Sequence, residues 1–332
     1  MARNDYPEKY QTLIDDEIWA FIDRSDSFYP PDTAEKSVEQ QRAVYNDLCR
    51  SFHAGRPQDV TVTDNNIDVL EPARKIPTRQ YFPDGVGFGE DDQQPEAIVI
   101  YYHGGGFVVG GLDSHDDVCA EICARTKYPV VSVDYRLAPE FNYPADFEDA
   151  LTAFGVISEI GKDIRIIVCG DSAGGNLAAA VCHATKNLER KPDGQVLIYP
   201  GLGSNLDQGT FIEHAEAPMI TTKDTKFYKA IRTGGNNDFF KEPTCAPLND
   251  TDFSGLPPTV MISAECDPLS GDCKDYQEAL RAAGVPVSLV NEKGLVHGYL
   301  RARHMSSRAR DSFTRIVEAV SALGKGEWPY QD

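Results

Sequence analysis

The chain has 332 residues, of which 41% are hydrophobic, so it is long enough to bury the core of one large α/β domain. Its 52 acidic and 32 basic residues give a formal net charge of −20, which opposes binding to nucleic acid and to anionic membrane surfaces. The chain begins without a secretory leader and has no run of 18 apolar residues, so we expect a cytoplasmic protein with reduced, mostly buried cysteines.

The first 50 residues carry apolar side chains at helical spacing. Pro30-Pro31 interrupts this pattern, and a second helical stretch is predicted over about residues 34–52. An amphipathic segment must bury its apolar face against another part of the protein. We therefore interpret residues 1–50 as the first part of a helical cap, in which Trp19 and Phe21 are candidate substrate contacts.

From residue 60 onwards, short apolar runs alternate with helical stretches, a pattern typical of a parallel sheet that is covered on both faces. Strands are predicted over residues 60–62, 67–70, 78–82, 97–102, 129–133, 164–169, 195–199, 259–264 and 287–290. Helices are predicted over residues 115–127, 145–160, 176–187, 272–283 and 299–323.

One interval breaks this alternation, because no strand is predicted between Tyr199 and Thr259. Within it, residues 204–245 carry several aromatic side chains and helical pieces. Such a long excursion is more often a functional insertion than a plain loop. We interpret it as the second part of the cap.

A candidate nucleophile follows the strand predicted at 164–169. There Gly170-Asp171-Ser172-Ala173-Gly174-Gly175 leads into a helical stretch, which is the strand, G-x-S-x-G, helix order of a nucleophile elbow. The turn is so tight that the positions two before and two after the serine must lack a side chain. It lifts the Ser172 hydroxyl clear of the sheet, at the positive end of a helix.

The strand predicted at 97–102 ends in His103-Gly104-Gly105-Gly106-Phe107. Glycines let backbone N–H groups approach the oxyanion of a tetrahedral intermediate, so this loop is a candidate oxyanion hole. A phosphate-binding loop would need a Lys followed by Ser or Thr, and a dinucleotide fingerprint would need G-x-G-x-x-G. The segment has neither pattern.

A serine nucleophile needs a histidine base and a carboxylate that orients it, in the chain order Ser, acid, His for this type of elbow. His297 follows the last predicted strand, at the sheet edge where ligands bind, and His304 is the alternative. The acid should follow the preceding strand, where Asp267 and Glu265 both qualify by location.

Together with Asp134-Tyr135-Arg136-Leu137-Ala138-Pro139-Glu140, these motifs resemble the hormone-sensitive-lipase family, in particular its microbial GDSAGG-type esterases. The resemblance runs from about residue 97 to the C-terminus. It implies an α/β-hydrolase fold with a mostly parallel eight-stranded sheet, flanking helices and a helical cap. Residues 51–332 would then form the catalytic domain, with the cap insertion at about 204–245.

The resemblance also assigns roles to individual residues. It implies a triad of Ser172, Asp267 and His297, which selects Asp267 over Glu265. It implies that the oxyanion N–H groups belong to Gly105, Gly106 and Ala173, that His103 and Gly104 support this loop, and that no cofactor takes part. We also expect no metal, because no His, Cys and Asp residues show metal-ligand spacing.

The expected reaction is hydrolysis of small esters with short to medium acyl chains through an acyl-enzyme, by a monomer or homodimer. Phe107 replaces a common Trp and is a further candidate pocket residue. An amidase, deacetylase or lactonase on the same site, or a non-catalytic receptor, is the alternative. Arg301 and Arg303 are interpreted as part of a solvated or salt-bridged helix face, with contact to an anionic substrate as the minor alternative.

Overall fold

The computed structural model describes residues 3–30, 36–89, 92–161, 163–203 and 205–331. Its strands form one sheet in the order β1-β2-β4-β3-β5-β6-β7-β8. They are β1 (Val60–Val69), β2 (Arg74–Pro83), β3 (Ala97–Tyr102), β4 (Val130–Val133), β5 (Arg165–Asp171), β6 (Gly194–Ile198), β7 (Thr259–Cys266) and β8 (Val287–Val296).

The pairs β1–β2 and β2–β4 are antiparallel, and all the other pairs in the sheet are parallel. The mostly parallel eight-stranded sheet is therefore confirmed.

The α-helices of the described chain are α1 (Glu8–Leu13), α2 (Asp16–Asp26), α3 (Val38–Phe52), α4 (Asp116–Thr126), α5 (Ala145–Ser158), α6 (Ala173–Thr185), α7 (Thr210–Glu213), α8 (Thr222–Thr233), α9 (Ser270–Ala282) and α10 (Ser307–Lys325).

The sheet is covered on both faces, as its strands of continuous apolar residues require. Successive side chains of a strand point to opposite faces, and in β3 Val99 and Tyr101 join one apolar cluster while Ile98 and Ile100 join another. The first cluster packs under α4 and α10, and the second packs under α5, α6 and α9. The core thus lies in two layers, one on each side of the sheet.

The N-terminal helices extend the first of these clusters. Ile18, Phe21 and Ile22 of α2 are completely buried in it, and α2 contacts β8. A capping box between Ser37 and Gln40 starts α3. Residues 1–2, 31–35 and 204, which belong to the predicted cap segments, lie outside the described residues.

The predicted C-terminal helix over residues 299–323 is wrong at its start. Residues 299–302 form a short 3-10 turn, and α10 begins after Ser306, whose hydroxyl accepts a hydrogen bond from Ala309 N at 3.3 Å. Arg303, directly after this turn, is buried and forms ion pairs of 2.5 Å with both Asp117 and Glu121. Its salt bridging is confirmed, but the solvated helix face is not.

Arg301 also departs from the expected helix face. Its guanidinium donates to the Tyr45 hydroxyl of α3 at 2.7 Å. It therefore joins the N-terminal helices to the turn that follows β8.

All eight cysteines are buried and free, as expected for reduced core thiols. Within the described ranges no helix is long and apolar enough to cross a membrane.

A substitution in α2 tests whether this helix belongs to the core. We expect Ile22→Ala to lower the free energy of unfolding by about 2–5 kcal/mol, because it leaves a cavity in a fully buried site. Asp23→Ala, at the next and exposed position, is the control and should change stability by less than about 0.5 kcal/mol. Urea denaturation measures both, and equal small effects would show that α2 does not stabilise the core.

Candidate active site

The elbow joins the end of β5 to the start of α6. Ser172 sits between them with φ 53°, and its backbone N–H donates to Ile198 O at 2.9 Å. A Cβ atom on Gly174 would lie 1.8 Å from Tyr102 O, and one on Gly170 would lie 2.4 Å from the Gly174 carbonyl. Both glycines are therefore required by the close approach of neighbouring backbone, as the motif predicts.

The ends of three strands bring a serine, a histidine and a carboxylate into one hydrogen-bonded line. Ser172 Oγ lies 2.8 Å from His297 Nε2, and His297 Nδ1 lies 2.7 Å from Asp267 Oδ2. The buried Asp267 also accepts a hydrogen bond from Leu269 N at 2.8 Å. Because a carboxylate only accepts, Nδ1–H donates to Asp267, and Nε2 is left to accept the Ser172 proton.

The alternative acid and base lie apart from this line. Glu265 accepts from Lys293 at 2.7 Å and from Gly294 N at 2.8 Å. His304 lies 2.9 Å from a Glu121 carboxylate oxygen. The structure therefore brings together the three residues that the family resemblance selects.

The glycine-rich loop after β3 adopts conformations that side chains disfavour. Gly105 and Gly106 have φ values of 130° and 60°, and Phe107 follows with 65°. Gly106 and Phe107 of the loop and Ala173 of α6 line the same cavity as Ser172, and Gly105 directly precedes Gly106. The loop and the start of α6 thus present backbone close to the Ser172 hydroxyl.

A buried network under the elbow holds this loop, and no sequence motif predicts it. Asp171 accepts from Tyr101 Oη at 2.8 Å, from Gly104 N at 2.9 Å and from His115 Nε2 at 3.2 Å. Burial alone would raise the pKa of Asp171, but His115, the charge of Arg301 and the hydrogen bond from Tyr101 outweigh it and hold that pKa well below its usual range. A buried carboxylate thus fixes the loop after β3 to the strand that precedes Ser172.

His103 supports the same loop in its neutral form. Burial, together with the nearby His115, lowers the pKa of His103 to about 4. Its Nδ1 donates to Gly104 O at 2.9 Å, and its ring stacks on Tyr135 with 4.4 Å between centroids. This arrangement agrees with a supporting role for His103 and gives it no contact with Ser172.

A cavity opens beside Ser172 and is covered largely by the 204–245 excursion. Trp19 and Phe21 are not among its lining residues and are buried in the apolar cluster of the N-terminal helices, so the structure does not support them as substrate contacts. Lys229 and Arg232, which the sequence analysis did not single out, do line it. The complete lining is Gly106, Phe107, Ser172, Ala173, Asn176, Gly201, Gly203, Ile220, Thr225, Tyr228, Lys229, Arg232, Phe240, Cys245 and Leu269.

No group of three or more His, Cys, Asp or Glu side chains in the described chain is arranged to hold a metal ion. The arrangement that is present, a serine on an elbow, a histidine oriented by a carboxylate and a loop of free backbone, is suited to attack on a carbonyl carbon.

Comparisons with known proteins point to one family. The model of the alpha/beta hydrolase fold matches residues 99–301. The esterase LipI of Mycobacterium tuberculosis is 39% identical over 275 residues, which cover 81% of this chain and 84% of LipI. An ethyl acetate hydrolase of Pseudomonas putida is 32% identical over 297 residues, covering 87% and 89% of the two chains. A solved bacterial heroin esterase aligns with a TM-score of 0.82 at 26% identity, covering 94% of this chain and 98% of that one.

The close backbone packing of the elbow can be tested by adding one methyl group. We expect Gly174→Ala to destabilise the protein by about 3 kcal/mol or more, because its Cβ would meet the backbone oxygen of Tyr102 and neither atom can move freely. Gly155→Ala in α5 is the control, since its Cβ would meet nothing within 4 Å, and it should raise stability by about 0.5–1 kcal/mol. Thermal and urea unfolding compare the two, and a stable, active Gly174→Ala protein would contradict the packing described.

Proposed function

Given that this chain belongs to the hormone-sensitive-lipase-like family of α/β-hydrolases and is a serine carboxylesterase, we propose that it hydrolyses short to medium acyl esters through Ser172, His297 and Asp267. The observation that carries the proposal is the unbroken line of hydrogen bonds from Ser172 Oγ through His297 to Asp267. The names of the relatives support ester substrates, since LipI is an esterase and the Pseudomonas putida relative is an ethyl acetate hydrolase.

Acylation begins with attack of Ser172 Oγ on the ester carbonyl carbon while His297 Nε2 takes the hydroxyl proton. Asp267 keeps the His297 ring oriented and stabilises its positive charge. The N–H groups of Gly105, Gly106 and Ala173 bind the oxyanion of the tetrahedral intermediate. When the intermediate collapses, the ester C–O bond breaks and the alcohol leaves with the proton from Nε2.

Deacylation repeats the sequence with water as the nucleophile. His297 Nε2 takes a proton from the water, whose oxygen attacks the acyl carbon and forms a second tetrahedral intermediate at the same oxyanion site. The bond from the acyl carbon to Ser172 Oγ then breaks, and Oγ regains its proton from His297. The products are the alcohol and a carboxylic acid, and the enzyme returns to its starting state.

Residues 204–245 and residues 1–50 together form the cap over this site, and residues 51–332 form the catalytic domain that carries it. Contacts between the two cap segments support this division, since Lys9 Nζ donates to Glu213 O and Tyr10 Oη lies 3.0 Å from His214 Nδ1. The 204–245 excursion covers the cavity, and the N-terminal helices contact this excursion from the outside and stabilise its position. A roof excludes water and thereby strengthens the oxyanion interactions.

Loss of the nucleophile should remove almost all activity. We expect Ser172→Ala and His297→Ala each to lower kcat for a p-nitrophenyl ester by about 10⁴-fold or more, and Asp267→Asn to be somewhat less severe, because the three residues act as a unit. Ser254→Ala, an exposed serine, is the matched control and should keep wild-type kcat.

A fluorophosphonate label followed by peptide mass analysis identifies the nucleophile directly, and it should modify Ser172. Retention of more than about a tenth of wild-type kcat by folded Ser172→Ala would overturn the mechanism, since a lost nucleophile costs far more. Turnover of matched anilides at rates near those of the esters would favour an amidase.

The roof should set the acyl length that the cavity accepts. We expect Ile220→Trp to lower kcat/KM for p-nitrophenyl hexanoate at least about tenfold more than for the acetate, because Ile220 lines the cavity and the larger ring fills it. Ile212→Trp, in the same excursion but 66% exposed, should leave the hexanoate-to-acetate ratio unchanged. An unchanged ratio in Ile220→Trp would show that the roof does not set the chain length.

A further inference from the structure

The cavity beside Ser172 has a cationic wall. Two basic side chains, Lys229 and Arg232 of α8, line it, and no Asp or Glu is among the described residues that do. The rest of the lining includes apolar side chains such as Phe107, Ile220 and Phe240. Charged groups in such apolar surroundings interact more strongly with a ligand than they would in water.

Hydrogen bonds hold the Arg232 side chain in place, but one of its nitrogens has no hydrogen-bond acceptor among the described protein atoms. It is 2% exposed, and its Nε donates to Asp146 Oδ2 at 2.7 Å. Its Nη1 donates to Asn176 Oδ1 at 3.1 Å and to Cys245 O at 2.9 Å, while its Cζ lies 3.6 Å from the centroid of the Phe107 ring. Nη2 has no acceptor among the described protein atoms.

The bonds through Nε and Nη1 already tie α8 to α5 and α6, so Nη2 is not needed to hold the fold together. A buried donor left without an acceptor is unfavourable, because no new hydrogen bond compensates its loss of hydration. An acceptor supplied by a bound molecule would remove this cost.

Lys229 lies one helical turn before Arg232 on the same helix, with its Nζ donating to Gly203 O. Burial lowers the pKa of Lys229, although the nearby Asp272 opposes this effect. Asp272 itself is buried, accepts from Leu202 N at 2.8 Å and from Gly203 N at 2.7 Å, and does not line the cavity. The acidic partners of both cations thus lie outside the lining, and the cations form its charged part.

We propose that this wall binds a carboxylate of the substrate, so that the preferred substrates are esters that carry a second, free carboxylate group. A carboxylate offers acceptors that match the free edge of a guanidinium and the ammonium of a lysine, and charge-assisted bonds of this kind are the strong ones. The inference rests on the proposed function, because it assigns the substrate class of the same Ser172 site.

Two kinds of molecule carry this chemistry. In a monoester of a dicarboxylic acid the charge belongs to the acyl part, and in an O-acetylated hydroxy acid it belongs to the alcohol part. Monoethyl succinate and acetoxyacetate represent the two, and ethyl levulinate and acetoxyacetone are their neutral counterparts, in which a methyl ketone replaces the carboxylate. The ratio of kcat/KM for each charged ester to that of its neutral partner is the quantity to measure.

We expect at least one of the two ratios to exceed about ten in the wild-type protein and to fall about 10–100-fold in Lys229→Met, as the loss of a hydrogen bond to a charged group predicts. Lys223→Met, an exposed lysine in the first turn of the same helix, is the control and should keep both ratios. The pair that responds identifies which part of the ester occupies the wall. Ratios near one in the wild type, or ratios that Lys229→Met leaves unchanged, would overturn the proposal.

A binding measurement keeps the test independent of turnover and of the folding of Lys229→Met. Calorimetric titration of Ser172→Ala should show monoethyl succinate or acetoxyacetate binding at least about tenfold more tightly than its neutral counterpart, and Arg232→Lys in the same background should weaken that preference. Equal affinities for both charged and neutral ligands would overturn the carboxylate site. Failure of the wild type to hydrolyse any of the four esters, with the calorimetric preference intact, would instead count against the proposed function alone.

Discussion

The close packing of backbone at the elbow, between the end of β3 and the first turn of α6, is the constraint on which the rest of the site depends. The carbonyl oxygen of Tyr102, at the end of β3, lies where a Cβ of residue 174 would have to be, so the first turn of α6 can pack against β3 only through glycine. This contact holds the loop after β3 against the start of α6. Asp171, one residue before Ser172, then bonds that loop through Gly104 N. Ser172, the proposed nucleophile, and the backbone beside it are thus positioned by one compact piece of structure.

The excursion over the cavity is joined to that same piece. Arg232 of α8 reaches Asp146 of α5 and Asn176 of α6, so α8, which lines the cavity, is bonded to the helix that begins at the elbow. A buried ion pair contributes little net stability, because desolvation offsets most of its attraction, but breaking one partner leaves an uncompensated charge. Its contribution here is to fix the position of α8 relative to Ser172.

The sequence predicts those parts of the structure that are determined by short stretches of neighbouring residues. The strands of the parallel sheet and the elbow were predictable, because Val/Ile runs and the G-x-S-x-G turn have strong local preferences. The C-terminal helix was predicted too early, since nothing in its periodicity showed that Ser306 would cap a new start. The bonds from Arg232 to Asp146 and from Asp171 to His115 join residues 86 and 56 positions apart, and no local pattern encodes such pairs.

Because the cysteines are buried, the rates at which thiol reagents modify them report on opening of the folded chain. Thiol reagents attack the thiolate, and burial raises the pKa of Cys169, Cys182 and Cys245, so these groups are protected both by coverage and by protonation. Cys245 lies at the end of the excursion, whereas Cys169 and Cys182 lie in β5 and α6. Alkylation of Cys245 therefore reports local opening of the 204–245 excursion, while alkylation of the other two requires the central sheet to come apart. The two rates thus separate local opening from global unfolding.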